Sequence, residues 1–166
     1  MSAKSVILLL GSNDMDAAGV VERAIAILNS AVGEVIKTSN EYRSEPYGFT
    51  SDREFVNRTV EITTELDAYE LLRRINLIEA LLGRDRAKEM EIKSAMGEAY
   101  ASRPIDIDII FYGDETFSDE RLTIPYHFLA EREYALRPLA EIAPMRHHPA
   151  LNATPQQMLE ALMHNK

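Results

Sequence analysis

The chain has 166 residues, of which 46% are hydrophobic and 27% charged, and none is a cysteine. This composition is typical of a single globular domain, and the lack of cysteine excludes disulfides and thiolate metal sites. With 27 acidic against 18 basic residues, the net charge of -9 argues against an extended surface for nucleic acid or for an anionic membrane. Since no apolar run is long enough to span a bilayer and the N-terminus lacks the features of a signal peptide, we expect a cytoplasmic protein.

The first half of the chain predicts a strand, a helix and two further strands. Lys4 to Leu10 is rich in leucine and β-branched residues and is followed by a Gly-Ser-Asn turn, which indicates a buried strand. Apolar residues recur at helical spacing from Asp16 to Val32, and Gly33 ends that helix. Two segments with alternating apolar residues, 35–44 and 55–64, predict a pair of strands joined by a turn-rich loop.

The next two elements are a second helix and the clearest strand of the chain. Asp67 is placed to cap the helix while Glu70 reaches back to the cap, and Gly83 ends it. The strand runs from Ile105 to Tyr112. Between them, residues 84–102 are charged and show no period. For residues 86–102 we expect either a mobile lid that closes over a bound nucleotide or an idle surface insertion.

The element order βαββαβ predicts an α+β fold with the ferredoxin-like topology. In this topology an antiparallel sheet carries both helices on one face and leaves the other face for a ligand. We expect one domain over residues 1–166, with a core of about 4–113 and a C-terminal extension of about 114–166. The extension should hold a short strand near Leu122–Pro125, an irregular stretch to Pro149, and a final helix capped by Thr154 with Pro155 in its first turn.

Asp106 and Asp108 form the sharpest chemical feature, within the segment Arg-Pro-Ile-Asp-Ile-Asp-Ile-Ile of residues 103–110. Because side chains alternate along a strand, the isoleucines point into a core and both aspartates point to the opposite face. Carboxylates about 6.6 Å apart along the strand suit a pair of Mg²⁺ ions. Two solvent-facing charges are the alternative, although Asp is a poor strand former and neighbouring carboxylates favour a cation.

Arginines are concentrated in the second half of the chain and could clamp a polyphosphate. Their planar guanidinium groups match phosphate oxygens, although a solvated surface charge is the better explanation of each one alone. The candidates are Arg84, Arg86, Arg103, Arg121 and Arg132. His127 could donate to a phosphate or cap a turn, and the sequence does not decide between these two roles.

A turn-forming aromatic segment, 44–49, precedes a strand that carries Phe55 and Asn57. An aromatic ring beside an amide, which both donates and accepts hydrogen bonds, suits a flat heterocycle with polar edges. A surface loop next to core aromatics is the simpler interpretation of these residues on their own.

Seven motifs follow one another along the chain, and their joint occurrence is more specific than any one of them. They are Leu10-Gly11-Ser12-Asn13, Arg43-Ser44-Glu45-Pro46-Tyr47-Gly48, Phe55-Val56-Asn57, Ile78-Glu79 with Gly83-Arg84, Arg103-Pro104-Ile105-Asp106-Ile107-Asp108-Ile109, Arg121-Leu122-Thr123-Ile124-Pro125, and Leu136-Arg137-Pro138-Leu139-Ala140-Glu141-Ile142-Ala143-Pro144. In this order they resemble the 6-hydroxymethyl-7,8-dihydropterin pyrophosphokinases over nearly the whole chain.

The resemblance implies a ferredoxin-like core and transfer of pyrophosphate from MgATP to 6-hydroxymethyl-7,8-dihydropterin, giving AMP and the pterin diphosphate, in folate biosynthesis. It also implies two Mg²⁺ ions on Asp106 and Asp108, and catalytic roles for these aspartates together with Arg84 and Arg103. The implied ATP contacts are Arg84, Arg86, Arg103, Arg121, His127 and Arg132. The implied pterin contacts are Ser44, Tyr47, Phe55, Asn57 and Tyr134, with Asn13 in support of the site.

The family pattern leaves some points open. Many members have a histidine directly after the proline where this chain reads Pro125-Tyr126-His127, so either His127 or Tyr126 takes the nucleotide contact. Association with other folate-pathway enzymes is also open. A different class of function is a non-catalytic ferredoxin-like module that binds a metal or a nucleotide without turning over ATP. RNA binding on the open sheet face is a third option, but the net charge and the acidic strand argue against it.

Overall fold

The computed structural model describes residues 2–45, 53–96 and 103–166, apart from the side chains of residues 92, 93 and 96. The strands are β1 (Lys4–Ser12), β2 (Glu34–Thr38), β3 (Tyr42–Ser44), β4 (Phe55–Thr64), β5 (Asp106–Tyr112), β6 (Phe117–Ser118) and β7 (Thr123–Ile124). The helices are α1 (Ala17–Ala31), α2 (Ala68–Leu81), α3 (Arg86–Met96), α4 (Glu133–Ile142) and α5 (Pro155–His164), and a 3-10 turn covers Leu129–Glu131. Tyr47, a predicted pterin contact, lies outside the described residues.

The main sheet is antiparallel, with the strand order β2-β4-β1-β5, and β3 pairs with β4 beyond the end of β2. β1 takes the centre because all its residues from Val6 to Leu10 are apolar and can be buried on both faces. This order is the one that a βαββαβ chain adopts in the ferredoxin-like topology, so the predicted α+β fold is confirmed.

Both faces of the sheet are covered over most of their area. Helices α1 and α2 pack on the face that carries Val6, Leu8 and Leu10. The opposite face presents Ile7 and Leu9, and α4, α5 and the 3-10 turn bury them. The C-terminal extension therefore occupies much of the face that the ferredoxin-like topology would leave for a ligand, and the open part is confined to the end of the sheet near Gly11.

The chain reversals follow the predicted signals in most places. Asp67 accepts a hydrogen bond from the backbone N–H of Glu70, and Gly83 ends α2 with a φ of 103°, in the left-handed region. Thr154 and Gln157 cap α5 reciprocally, with Pro155 in its first turn. One detail differs: the Glu70 carboxylate does not reach back to the cap, because Arg73 and Arg74 one turn later bind it.

Two segments contain helices that the sequence did not reveal. The stretch expected to be irregular contains α4, whose internal Pro138 hides the helical period while Leu136, Leu139 and Ile142 bury against the sheet. The expectation of no regular structure in 84–102 is also wrong, because residues 86–96 form α3, which Asp85 caps. The remaining residues of that segment, 97–102, lie outside the described ranges.

The predicted strand 35–44 is likewise two strands, β2 and β3, with a break at residues 39–41. Residues at the break form hydrogen bonds with α4: the Glu141 carboxylate accepts from the backbone N–H of Asn40 at 3.1 Å and from the Tyr42 hydroxyl at 2.7 Å. None of the helices in the described part of the chain is both long and apolar enough to cross a membrane.

His148 helps to attach the C-terminal extension to the core sheet. Its ring packs edge-on against Phe111 of β5, and its Nδ1 accepts the backbone N–H groups of Ala150 and Leu151 at 3.0 and 3.1 Å. Burial lowers the pKa of His148 below its ordinary value of 6.5, so the folded protein favours the neutral ring.

Because the unfolded chain binds the proton more readily, the free energy of unfolding should decrease as the pH falls below about 6.5. Urea unfolding at pH 7.5 and 5.5 measures this loss. His148→Asn, which keeps an acceptor but cannot be protonated, should reduce the pH dependence, whereas the exposed His147→Asn should retain it. An equal pH dependence in the parent and in His148→Asn would contradict this role.

Candidate active site

A cleft opens at the end of the sheet where β1 finishes. Gly11 of β1 is paired with Asn57 of β4 on one side and with Asp106 of β5 on the other. Because directly opposed residues of neighbouring strands share a face, an amide and a carboxylate flank a position that has no side chain. The resulting cleft has a volume of about 460 Å³, including the part that is open to solvent.

The cleft brings together residues that the sequence assigned to different ligands. From the predicted pterin contacts it takes Ser44, Phe55, Asn57 and Tyr134, and from the predicted catalytic set it takes Arg103, Asp106 and Asp108. Leu9, Gly11 and Glu45 complete the lining and were not predicted. A polar amide end and an acidic end therefore lie within one cleft.

Asn57 is 3% exposed, and its amide has a fixed orientation. Its Nδ2 donates to the backbone carbonyl of Tyr42 at 3.1 Å and to the hydroxyl of Ser44 at 2.8 Å. Its Oδ1 lies toward Gly11, 3.2 Å from the position that a Cβ there would occupy. The amide hydrogens are thus used within the protein, which leaves the carbonyl oxygen to accept from a ligand N–H group.

Asp106 and Asp108 lie on the same face of β5, as predicted, while Ile105, Ile107 and Ile109 are buried on the other side. Asp106 binds Arg84 at 2.8 Å and Arg103 at 3.6 Å. Burial raises the pKa of Asp108 well above its ordinary value, and the negative charges of Asp106 and Glu79 raise it further. Burial and the neighbouring carboxylates thus disfavour a negative charge on Asp108, and a cation beside it would relieve this.

Arg84 reaches Asp106 because of the way in which α2 ends. Gly83 reverses the chain, the backbone N–H of Arg84 bonds to the carbonyl of Glu79 at 3.0 Å, and the two side chains meet with Nη1 and Oε2 3.1 Å apart. The carboxylate of Glu79, only 1% exposed as a residue, also accepts the backbone N–H of Ile107 at 2.9 Å. Glu79 and Arg84 thus bind the outer edge of β5 on both sides of Asp106.

Within this network, the opposite charges offset the effect of burial on the pKa values of Arg84 and Glu79. Burial alone would lower the pKa of Arg84, but the carboxylates of Asp106 and Glu79 raise it above its ordinary value. Burial raises the pKa of Glu79, whereas the Ile107 N–H and Arg84 oppose that rise. Arg84 is therefore a permanent cation at the rear of the acidic end of the cleft.

Tyr126, not His127, is directed toward the cleft. The Tyr126 hydroxyl lies 3.1 Å from the hydroxyl of Tyr134, a cleft residue. Burial raises the pKa of Tyr126, and the bond with Tyr134 and the charge of Asp108 raise it further. His127 is exposed and stacks edge-on against Phe128, 4.8 Å between ring centres.

The other predicted nucleotide contacts lie outside the cleft lining. Arg86 binds Glu79 at 2.7 Å on the α2–α3 side, and Arg121 lies over the ring of Tyr69 at 5.2 Å. Arg132 lies over Phe128 at 4.6 Å and 3.5 Å from Glu131. Asn13 supports the site as predicted: its Oδ1 accepts the backbone N–H of Arg103 at 2.9 Å.

Two residues that shape the site were given no role from the sequence. Glu79 had a signal, since a carboxylate four residues after Ile75 falls on the apolar face of α2, where charge needs a partner. Gly11 had a weaker signal, because a glycine within a buried strand often marks a position that a ligand or another backbone approaches closely.

Comparisons with known proteins show which family the chain resembles. The family model described as 7,8-dihydro-6-hydroxymethylpterin-pyrophosphokinase (HPPK) matches residues 7–144. A Methylorubrum extorquens protein named 2-amino-4-hydroxy-6-hydroxymethyldihydropteridine pyrophosphokinase is 40% identical over 136 residues, 81% of this chain and 80% of that relative. A Bacillus subtilis protein of the same name is 34% identical over 149 residues, 89% of this chain and 83% of that relative.

A solved structure shows the same fold. The crystal structure of Plasmodium falciparum HPPK-DHPS wild type superimposes with a TM-score of 0.75 at 18% identity, covering 98% of this chain. This chain spans 42% of that longer polypeptide.

The matched family model and the named relatives make this chain a pyrophosphokinase. More particularly, the chain belongs to the 7,8-dihydro-6-hydroxymethylpterin-pyrophosphokinase family, which confirms the resemblance drawn from the sequence. Pyrophosphoryl transfer from ATP to hydroxymethyldihydropterin in folate biosynthesis is the activity of this family, and ATP is its co-substrate.

The glycine floor of the cleft gives the first prediction about binding. In Gly11→Ala the added methyl group would lie 3.2 Å from Asn57 Oδ1 and 3.6 Å from the Phe55 ring, so the end of the cleft at Asn57 and Phe55, where the sequence predicts the pterin, should be crowded. Pterin affinity measured by calorimetry should fall roughly 5- to 100-fold, with the affinity for a non-hydrolysable ATP analogue nearly unchanged. Unchanged pterin affinity in a folded variant would show that the heterocycle does not approach Gly11.

Proposed function

We propose that this cleft transfers the pyrophosphoryl group of ATP to the hydroxymethyl oxygen of 6-hydroxymethyl-7,8-dihydropterin, with the pterin at Asn57 and the phosphates at Asp106 and Asp108. The proposal rests on a row of three directly opposed residues, Asn57, Gly11 and Asp106, on the neighbouring strands β4, β1 and β5. With strands about 4.8 Å apart, the amide and the carboxylate are about 10 Å apart, and the empty position between them leaves room for the reacting groups.

The two aspartates fit Mg²⁺. No group of three or more His, Cys, Asp or Glu side chains suited to a metal occurs among the described residues, so the protein itself offers only a partial ligand set. Mg²⁺ is commonly bound in this way, by one or two carboxylates with water and substrate phosphates as the other ligands. We propose that Asp106 and Asp108 hold two Mg²⁺ ions when ATP is bound. These ions would supply charge neutralisation of the triphosphate.

The residues of the chain supply position and charge. The Asn57 carbonyl accepts from an N–H group of the pterin, while Ser44 and Tyr42 fix the orientation of its amide. Phe55 and Tyr134 offer aromatic rings on the cleft wall. Arg103, held through its backbone by Asn13, offers a guanidinium at the acidic end. The hydroxymethyl oxygen bonds to the β-phosphorus as the bond from that phosphorus to the oxygen of AMP breaks.

Roles for the arginines away from the lining follow from where they lie. Arg84 contacts Asp106, and we propose that it also binds a phosphate of ATP directly. Arg86, Arg121, Arg132 and His127 would reach the nucleotide only from the rim, and Tyr126 is the better placed of the neighbouring pair because it bonds to Tyr134. Tyr47 remains a proposed pterin contact outside the described residues.

Several wider features are also proposals. The domain is a single unit over residues 1–166, since the extension over about 114–166 buries the second face of the core sheet. A cytoplasmic location suits a chain without cysteine. Association with other folate-pathway enzymes is supported by the structural likeness to HPPK-DHPS polypeptides, and neither nucleic acid nor a membrane is expected as a partner.

The direct test is AMP release from MgATP with and without 6-hydroxymethyl-7,8-dihydropterin. We expect AMP to accumulate in proportion to pterin diphosphate and only when the pterin is present. A non-catalytic module would bind ATP but release no AMP, and that result would favour the alternative function.

A second test removes the aspartates. Asp106→Ala and Asp108→Ala should each lower turnover by roughly 100-fold or more at saturating Mg²⁺, because carboxylates that hold cations are lost. The fold should persist, since Glu79 and Glu89 still pair with Arg84. Asp114→Ala removes an exposed carboxylate that does not line the cleft and serves as the control. Near-parental turnover in either aspartate variant would rule out the metal assignment.

A third test concerns recognition of the heterocycle. Asn57→Ala should weaken pterin binding by about 1–3 kcal/mol, because a buried partner is lost, while binding of an ATP analogue stays nearly constant. Ser44→Ala, which loosens the Asn57 amide without removing its carbonyl, should have a smaller effect. Equal weakening of both ligands in Asn57→Ala would instead show a structural role.

A further inference from the structure

Helix α3 contacts the rest of the chain through Glu89 and Arg86. Among the described side chains of α3, all except that of Glu89 are exposed, and Met90 exposes 71% of its surface. Arg86 binds Glu79 at 2.7 Å, and Glu89 binds Arg84. Because no described side chain of α3 buries an apolar surface, the position of the helix depends on these two ionic contacts.

Glu89 binds Arg84 through two oxygens. Arg84 Nε donates to Glu89 Oε1 at 3.1 Å, and Nη2 donates to Oε2 at 3.5 Å. The Nη1 group of the same guanidinium is directed inward, to Asp106 at 2.8 Å and Glu79 at 3.1 Å. Arg84 therefore has an inner side fixed by buried carboxylates and an outer side covered by a carboxylate from α3.

A carboxylate and a phosphate present similar paired oxygens to a guanidinium. The outer side of Arg84 is where a phosphate could bind without breaking the inner bonds to Asp106 and Glu79. Glu89 already occupies this side, and both groups are negative, so they cannot share it.

We propose that Glu89 competes with a phosphate of ATP for the outer side of Arg84, so that binding of the nucleotide displaces Glu89 and removes one of the two ionic contacts that hold α3. The inference rests on the proposed contact between Arg84 and ATP. A phosphate can bind the outer side of Arg84 only in those molecules in which Glu89 does not occupy it. Because Glu89 reduces the fraction of such molecules, it lowers the apparent affinity for ATP. Removing the charge of Glu89 should therefore raise the affinity for ATP, whereas removing a residue that binds ATP should lower it.

The test compares Glu89→Gln with Glu91→Gln by calorimetry, using Mg²⁺ and a non-hydrolysable ATP analogue. Both changes remove one negative charge from α3, but Glu91 is exposed and is not among the carboxylates that bind Arg84. Glu89→Gln should bind the analogue roughly 3- to 30-fold more tightly than the parent, and Glu91→Gln should match the parent. Hydrogen exchange over residues 86–96 of the free protein should be faster in Glu89→Gln only.

Unchanged or weaker binding by Glu89→Gln, in a parent that binds the analogue and releases AMP, would overturn the competition while leaving the proposed function intact. Equal tightening in both variants would also overturn it, because the effect would then be one of general charge. A parent that neither binds the analogue nor releases AMP would overturn the proposed function and this inference together.

Discussion

The buried ion network of Glu79, Arg84 and Asp106 fixes the outer edge of β5. An edge strand has unpaired backbone groups, and here the Glu79 carboxylate takes the N–H of Ile107 while Arg84 approaches the carbonyl of Ile105 at 3.4 Å. Removing Glu79 or Arg84, the two buried members, would leave an uncompensated charge, which costs about 3–5 kcal/mol. The network therefore holds the strand that carries both aspartates in one register, and the acidic end of the cleft depends on it.

The remainder of the cleft follows from the central strand. β1 is apolar on both faces up to Leu10, and Gly11 then interrupts the row of side chains between Asn57 and Asp106. The C-terminal helices close the same face further back, where Ile7 and Leu9 need burial. Tyr134, at the start of α4, lines the cleft from this extension. One end of the sheet face is thus left open, with chemically different groups on its two sides.

Local patterns predicted the parts of the protein in which neighbouring residues decide the structure. The alternation at Asp106 and Asp108 gave their shared face, and the cap at Asp67 and the stop at Gly83 bounded α2. The order of elements was enough for the ferredoxin-like sheet. Helix α4 was missed because burial against the sheet overrides Pro138, and α3 was missed because its charged sequence shows no clear apolar period.

Contacts between distant residues could not be predicted from spacing. The approach of Arg84 to Asp106, and of Tyr126 to Tyr134, depends on how the chain folds back on itself. The proposed metal site on Asp106 and Asp108, next to the row that begins at Asn57, can be located in crystals of the ternary complex with Mn²⁺, a non-hydrolysable ATP analogue and the pterin, since Mn²⁺ is located by its anomalous scattering. We expect anomalous peaks beside both aspartates and the polar edge of the pterin on Asn57. Mn²⁺ bound away from both aspartates would contradict the proposed site.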